Sequence, residues 1–274
     1  MVTRLGDGLE ATGELSAAAR ERVLAVLDDY ARAMDGEGAE VRTGVLTSAV
    51  RDARNGAAFA EQVRAHSGVD ARTISGDEEA RLTFLGATAG REDADRTLLV
   101  VDIGGGSTEL VLGRGGEVAF HVSTQVGVVR HSERFVHADP PRPGELDALA
   151  ADVRSTLEAA VPEEVRRAAA EVVAVAGTPT MAAAMDLGLE PYDADRVEGH
   201  VLSAATLRAQ AEHLAGLTLE QRQAVRGLHP DRALVIVPGL IILLEVLALA
   251  RAGRVRVSDH DLLWGRALDA VARS

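Results

Sequence analysis

The sequence of 274 residues contains no cysteine and no lysine, so all 29 of its basic residues are arginine. The absence of cysteine excludes disulfides, thiolate metal sites and thiol catalysis. The absence of lysine excludes a Walker A phosphate loop, Schiff-base chemistry and a lysine general base. Charge-based chemistry in this protein must therefore use arginine, histidine or carboxylate side chains.

The sequence also lacks a surplus of positive charge. Its 42 acidic residues give a net charge of −13, and without a basic field the chain is not a general nucleic-acid or membrane-surface binder. An anionic substrate would need a metal ion and a few local arginines to offset the repulsion. No apolar signal segment opens the sequence, and we expect a cytoplasmic protein.

One long apolar run, "ALVIVPGLIILLEVLALA" from Ala233, is present. Pro238, Gly239 and Glu245 interrupt it, which favours a buried core helix over a membrane span. Elsewhere, apolar strand-like segments alternate with helical patterns, which predicts an α/β protein. The polar segment "REDADR" (91–96) predicts a boundary between an N-terminal lobe, residues 1–93, and a C-terminal lobe, residues 94–274.

The segment "LLVVDIGGGSTELVLG" (98–113) places three consecutive glycines between two apolar strands. Glycine weakens strands, so the turn must need residues without a side chain. Such a turn lets main-chain N–H groups approach an anion closely, phosphate above all. The flanking carboxylates of Asp102 and Glu109 would then suit a divalent cation. An ordinary glycine-rich hairpin followed by a surface acid is the alternative.

Two further segments carry candidate residues. In "ISGDEEARL", Glu78 and Glu79 begin a helix and point about 100° apart, so one can face a site while the other stays in solvent. A carboxylate aimed at a phosphate could deprotonate an attacking water. Acids in a first helical turn are otherwise an ordinary complement to the helix dipole.

In "LTSAVRDARN", Ser48 and Arg51 follow an apolar strand at a predicted helix start, where phosphate binds readily. The Arg51 guanidinium would neutralise charge in the transition state. Asn55 is expected one turn later on the same helical face. An N-cap serine beside a surface arginine is the alternative interpretation.

Together, "TSAVRDARN", "ISGDEEARL" and "VVDIGGGSTELVLG", in this order, resemble the exopolyphosphatase and guanosine pentaphosphate phosphatase (Ppx/GppA) family. The segments "GVVRHSERF" (127–135), "AVAGTPT" (174–180) and "RVRVSDHDLLWGRAL" resemble its later parts, so the resemblance covers essentially the whole chain. The ending is most similar to actinobacterial short-chain members without a C-terminal metal-phosphohydrolase domain. The pair His260 and Asp261 is accordingly not expected to bind metal.

The resemblance implies an actin-like, ribonuclease-H-like fold of two lobes with an interlobe cleft, and a homodimer. It implies that Glu79 is the catalytic base and that Asp102 and Glu109 organise Mg²⁺ and the water. The implied phosphate-binding residues are Arg51 and the loop Gly104, Gly105, Gly106 and Ser107. Ser48 joins them because of its place at the helix start.

The resemblance also implies a first phosphate loop, D-x-G-[ST]-N-S, upstream of "VTRLGDGL", and no such motif occurs in this sequence. We therefore expect an incomplete N-terminal lobe. A mis-assigned start or truncation is one explanation, and a natural protein that has lost the loop is the other.

The expected function is Mg²⁺-dependent hydrolysis of terminal phosphate from inorganic polyphosphate. Alternatives on the same scaffold are a pppGpp 5′-phosphatase and a non-catalytic phosphate or alarmone sensor; a kinase fits the Glu79 motif less well. Arg130 is left open between contact with the polyanion and a salt bridge. Thr178 and Thr180 are expected to be structural.

Overall fold

The protein is described here from a computed structural model that covers residue 3, residues 5–91 and residues 95–272. Its contacts group the chain into two compact units: Met1–Glu79 with Arg266–Ser274, and Ala80–Gly265. The boundary expected between residues 93 and 94 falls outside the described residues, so the predicted lobe limits stay a prediction.

The first unit has a small parallel sheet and several helices. Its two described strands pair with Thr43 opposite Asp70, and a core that includes the fully buried Phe59 packs beside them. The elements are α1 (Leu9–Thr12), α2 (Ala17–Gly36), β1 (Thr43–Leu46), α3 (Ser48–Asp52), α4 (Gly56–Ser67), β2 (Asp70–Thr73) and the start of α5 (Gly76–Thr88). The end of the last helix also belongs to this unit.

Local signals explain most of these helix limits. Ser16 caps α2 as expected, since its hydroxyl accepts the Ala19 amide at 3.2 Å. The expectation that Arg51 and Asn55 share one helical face is wrong. Helix α3 ends at Asp52 because Ala53 adopts an extended conformation. Asn55 instead precedes α4 and bonds both main-chain groups of Leu15, each at 2.9 Å.

The second unit carries a six-stranded sheet. Its strands are β3 (Leu98–Ile103), β4 (Thr108–Arg114), β5 (Glu117–Thr124), β6 (Glu171–Val175), β7 (Val201–Ser203) and β8 (Arg254–Val257). Its helices are α6 (Val128–Phe135), α7 (Pro143–Ala160), α8 (Glu163–Ala168), α9 (Gly177–Asp186), α10 (Ala194–Val197), α11 (Ala204–Ala215), α12 (Leu219–Gln223), a 3₁₀ turn (Pro230–Arg232), α13 (Ile236–Leu249) and α14 (Leu262–Ala272), which ends in the first unit.

The strand order of this sheet is β5-β4-β3-β6-β8-β7. Strand β4 is antiparallel to its neighbours β3 and β5, whereas β3, β6 and β8 run parallel. The first three strands are thus consecutive hairpins, and two parallel strands follow by crossovers. This topology is that of the ribonuclease-H-like fold, which confirms the α/β expectation for this part of the chain.

Strand β3 reads as a continuous apolar run because both of its faces are covered. Leu99 and Val101 pack into the larger core with α7 and α13. Leu98 and Val100 face the other way, against Phe84 of α5. Since side chains alternate along a strand, Asp102 lies on the α5-facing side of the sheet.

The long apolar run forms α13, a core helix, as the sequence predicts. Residues such as Ile242 and Val246 are fully buried within the second unit. In the described part of the chain, none of the helices combines the length and the apolar character needed to cross a bilayer.

Candidate active site

The glycine loop joins the ends of β3 and β4. The amide of Gly104 donates to the carbonyl of Ser107 at 2.9 Å, which closes the turn. Gly105 and Gly106 are exposed, while Ser107 is buried. The turn is therefore anchored at both ends and open at its tip.

Helix α6 donates hydrogen bonds to the carbonyl groups of this loop. The amides of Val128 and Val129 donate to the carbonyls of Gly104 and Gly105 at 3.0 and 2.8 Å. The Arg130 guanidinium donates to the Gly106 carbonyl at 3.0 Å. The carbonyl groups of Gly104, Gly105 and Gly106 are thus all hydrogen-bonded to residues of α6.

The amide groups of the loop tip are differently placed. No described residue accepts the N–H groups of Gly105 or Gly106. Neither residue has a positive φ, and a Cβ on Gly105 would approach only Val129, at an ordinary 3.5 Å. The main-chain conformation itself therefore does not require glycine at Gly105. The missing side chains instead leave open space above two N–H donors, as an anion site needs.

Two carboxylates stand beside the loop in one row of the sheet. Asp102 of β3 is directly opposite Glu109 of β4, and Glu109 is opposite Ser123 of β5. The Ser123 hydroxyl donates to Glu109 Oε1 at 2.7 Å and orients that carboxylate. Directly opposed side chains have Cβ atoms about 5 Å apart, so the pair can share one cation.

In the first unit the structure brings Arg51 and Glu79 together. Arg51 Nη1 donates to Glu79 Oε2 at 3.0 Å and to the Ile74 carbonyl at 3.1 Å. Glu79 is only 8% exposed. A buried carboxylate held by a guanidinium is fixed in orientation, which a general base requires. Ser48 is half-buried and is the first residue of the one-turn helix α3.

The neighbouring acid has a separate partner. Glu78 accepts from Arg72 at 2.5 Å, and its amide is capped by the Ser75 hydroxyl at 3.2 Å. Successive residues of a helix diverge by about 100°, so Glu78 and Glu79 make different contacts, as the helical spacing predicts. Glu78 is half-buried against Arg72, however, and does not lie freely in solvent as expected.

Arg130, left open by the sequence, is bound to protein groups. Besides the Gly106 carbonyl, it donates to Gln125 Oε1 at 2.9 Å. Thr178 and Thr180 have structural contacts: Thr180 Oγ1 donates to the Ala176 carbonyl at 3.0 Å, and Thr178 is buried against Gly239.

One candidate residue, Arg232, gave no signal in the sequence. Its guanidinium lies against Gly177, where a Cβ would come within 2.5 Å of Arg232 Cζ. Burial lowers the pKa of Arg232, and Asp231 partly offsets this effect. Within the described ranges its guanidinium makes no hydrogen bond or ion pair. Because β6 ends beside Gly177, parallel to β3, Arg232 lies at the same sheet edge as the glycine loop. Only a folded structure reveals this position.

The comparisons with known proteins agree with this geometry. The sequence pattern of the Ppx/GppA phosphatase family matches residues 1–271. The chain belongs to this family. As a Ppx/GppA phosphatase it is an enzyme of the hydrolase class.

Several Ppx/GppA relatives are similar over nearly the whole chain. Exopolyphosphatase 2 of Mycobacterium tuberculosis (strain ATCC 25618 / H37Rv) is 38% identical over 276 residues, which is 97% of this chain and 86% of that protein. The solved structure of an exopolyphosphatase-like protein has a TM-score of 0.90 at 33% identity, covering 100% of this chain and 88% of the other. The Aquifex aeolicus family member has a TM-score of 0.82 at 30% identity, with the same coverage.

Proposed function

We propose that the protein is an exopolyphosphatase that releases the terminal phosphate of inorganic polyphosphate. The observation that carries the proposal is the exposed glycine loop, whose Gly105 and Gly106 amides have no acceptor among the described residues and stand beside the Asp102–Glu109 pair. A chain of phosphates is a dense polyanion, and main-chain N–H donors bind phosphate oxygens without adding charge. The 38% identical relative named an exopolyphosphatase supports the same substrate class.

In the proposed reaction, Glu79 accepts a proton from a water molecule as the water oxygen attacks the terminal phosphorus. The bond between that phosphorus and the bridging oxygen breaks, and its electron pair leaves with the shortened chain. Inorganic phosphate is the other product. Arg51 orients Glu79 through Nη1. A guanidinium carries five N–H donors, so Arg51 can also bind a phosphate oxygen.

The donor pair Asp102 and Glu109 fits Mg²⁺. This ion binds one or two carboxylates and takes its other ligands from substrate phosphate and water. The described residues contain no cluster of three or more metal-binding side chains, which suits a metal shared with the substrate. Mg²⁺ held there would neutralise charge on the transferred phosphoryl group.

Arg232 is a further candidate for binding the anionic substrate. A part-buried guanidinium without a protein acceptor favours an anion as its partner. It lies in the same unit as the glycine loop. We therefore propose that Arg232 adds positive charge for the substrate in a protein whose net charge of −13 would otherwise repel it.

The substrate test is phosphate release by the wild-type protein with Mg²⁺, supplied in separate reactions with short-chain polyphosphate and with pppGpp. We expect faster release from polyphosphate. Preferential hydrolysis of pppGpp would assign the alternative 5′-phosphatase activity. Binding of either compound by folded protein without any release would contradict the enzymatic proposal and favour a sensor.

A further inference from the structure

The glycine loop packs closely against Gly127, in a contact that leaves no room for a side chain there. A Cβ on Gly127 would lie 2.3 Å from the carbonyl carbon of Gly106 and 2.4 Å from the carbonyl oxygen of Gly105. The two main chains therefore touch. Any shift of Gly127 is transmitted to the loop tip, because close-packed atoms do not absorb displacement.

Gly127 is itself held by a buried histidine one helical turn later. His131 is 1% exposed, and its Nδ1 lies 3.3 Å from the Gly127 amide nitrogen and 3.1 Å from the Gly127 oxygen. The Gly127 oxygen already accepts the main-chain amide of His131 at 2.9 Å. The Gly127 amide is thus the group that depends on the imidazole.

The other ring nitrogen faces an acid. His131 Nε2 lies 3.3 Å from Asp152 Oδ2 of α7, and within the described residues it has no other acceptor. Asp152 also pairs with Arg134 at 3.2 Å. An Nε2–H imidazole satisfies this arrangement best, since Nδ1 then accepts the Gly127 amide and Nε2–H faces the carboxylate.

Protonation changes what this side chain can do. An imidazolium carries N–H donors on both ring nitrogens and has no acceptor. Nδ1 would then turn from the Gly127 amide to the Gly127 oxygen, and the amide would lose its partner. The charge state of His131 is thereby linked to the position of Gly127, on which the glycine loop packs.

We propose that His131 is a positioning residue for the phosphate loop: its neutral imidazole holds the Gly127 amide, and protonation releases that amide and loosens the loop. The proposal deepens the proposed function, on which its kinetic readout rests. Its structural readout, the position of the loop, does not depend on catalysis.

The surroundings of His131 set the direction of the pH response. Burial lowers the pKa of His131 below its ordinary 6.5, while Asp152 raises it and Arg134 lowers it. Helix α13 also packs against α6, but its acid, Glu245, is bound to Arg154 at 2.8 Å. The imidazole is therefore neutral at pH 7 and gains its proton only in acid.

The lowered pKa of His131 makes the free energy of unfolding depend on pH. As the pH falls below about 6.5, the unfolded chain binds a proton at this position before the folded protein does. The free energy of unfolding therefore falls with pH in this window, until the folded pKa is reached.

Two substitutions separate positioning from packing. His131→Asn places an amide oxygen near the Nδ1 position and can still accept the Gly127 amide, whereas His131→Leu fills space without an acceptor. We expect a KM for short-chain polyphosphate about fivefold to tenfold higher in His131→Leu, the loss of one hydrogen bond, and a KM near wild type in His131→Asn. His213→Asn, on an exposed histidine of α11, is the matched control.

The pH profile gives the sharper test. In the wild type, KM should rise as the pH falls below the pKa of His131, and this acid limb should be absent in His131→Asn. Asp152→Asn should move the limb to lower pH, because Asp152 raises that pKa. An acid limb that persists unchanged in His131→Asn would overturn the proposal.

A spectroscopic measurement keeps the proposal testable without activity. In ¹⁵N-labelled wild-type protein, the amide signals of Gly127 and Gly104–Gly106 should shift with pH at the same midpoint as the His131 ring protons. Independent midpoints would refute the link even if polyphosphate is hydrolysed. Matching midpoints in a protein that hydrolyses no polyphosphate would support the loop device and reject the proposed function instead. The wild-type titration also stands if His131→Leu fails to fold.

Discussion

The two groups of candidate residues use different chemical groups, side chains in the first unit and main-chain amides in the second. In the first unit, Arg51 and Glu79 form a side-chain ion pair on a one-turn helix and the start of α5. In the second unit, the glycine loop offers main-chain amides at the junction of two buried strands. The first group depends on which side chains are present, and the second depends on side chains being absent.

The two groups are therefore sensitive to different substitutions. The Arg51–Glu79 ion pair has a second Arg–Glu ion pair beside it, formed by Arg72 and Glu78, the residue before Glu79 in α5. At the glycine loop, Gly105 is sterically open, whereas Gly127, on which the loop packs, has no room for a side chain. Arg72 and Glu78 therefore provide matched controls for the first group, and an open glycine elsewhere, Gly144, provides one for the loop.

The largest effect is expected at Glu79. Glu79→Gln keeps the shape of the side chain and a hydrogen bond to Arg51 but removes the base, so kcat should fall about 10²-fold to 10⁴-fold. Phosphate release from polyphosphate measures it. Glu78→Gln removes the neighbouring acid and should leave kcat near the wild-type value. Equal losses in both variants would show that the acidic turn acts only through charge.

The next effect is expected at Arg51. Arg51→Met should lower kcat/KM about 10²-fold, because a donor that stabilises transition-state charge is removed. Arg72→Met, which breaks the Arg72–Glu78 pair, is the comparison. If the two variants lose activity equally, with similar melting temperatures, Arg51 has no special role.

A smaller effect is expected at the loop tip. Gly105→Ala should raise KM for polyphosphate about tenfold, because a methyl group would occupy the space above the amides at a cost similar to a lost hydrogen bond. Its melting temperature should not change, since the Cβ meets only Val129 at 3.5 Å. Gly144→Ala, at an open position in α7, controls for loss of glycine. An unchanged KM in Gly105→Ala would argue against an anion at this tip.

The smallest effect on activity is expected at Asn55. Asn55→Ala removes two hydrogen bonds to Leu15, so the free energy of unfolding should fall by about 1–3 kcal/mol. Urea denaturation measures this change. Activity at low temperature should persist, because Asn55 stabilises the first unit and, among the described residues, its side chain hydrogen-bonds to Leu15 and not to Arg51 or Glu79. A loss of activity without a loss of stability would return Asn55 to the candidate site.

The sequence predicts side-chain chemistry better than main-chain geometry here. The divergence of Glu78 and Glu79 follows from helical spacing and is confirmed. The helix break at Ala53 was missed, because alanine carries no turn signal. The open space beside Gly105 is consistent with a turn that lacks side chains so that an anion can approach, whereas the close packing of Gly127 on the loop is a tertiary contact that local preferences do not encode.

Long-range supports are the least visible from sequence. Arg232 and Gly177 are far apart along the chain, and only the parallel pairing of β3 with β6 places them at the edge that carries the glycine loop. In the sequence, His131 stands out only as part of the segment "GVVRHSERF", whereas its burial and its contact with Gly127 are visible only in the folded protein. The α/β fold class, by contrast, follows from alternating strands and helices together with the family resemblance.

The most direct test of the central claim is a titration of ¹⁵N-labelled protein with inorganic tripolyphosphate, in wild type and in Gly105→Ala. If the glycine loop binds phosphate, we expect the Gly105 and Gly106 amide signals to shift on binding in the wild type. We also expect a lower affinity for tripolyphosphate in Gly105→Ala. Binding that leaves these two amides unchanged, with equal affinity in both proteins, would contradict the glycine loop as the phosphate-binding element.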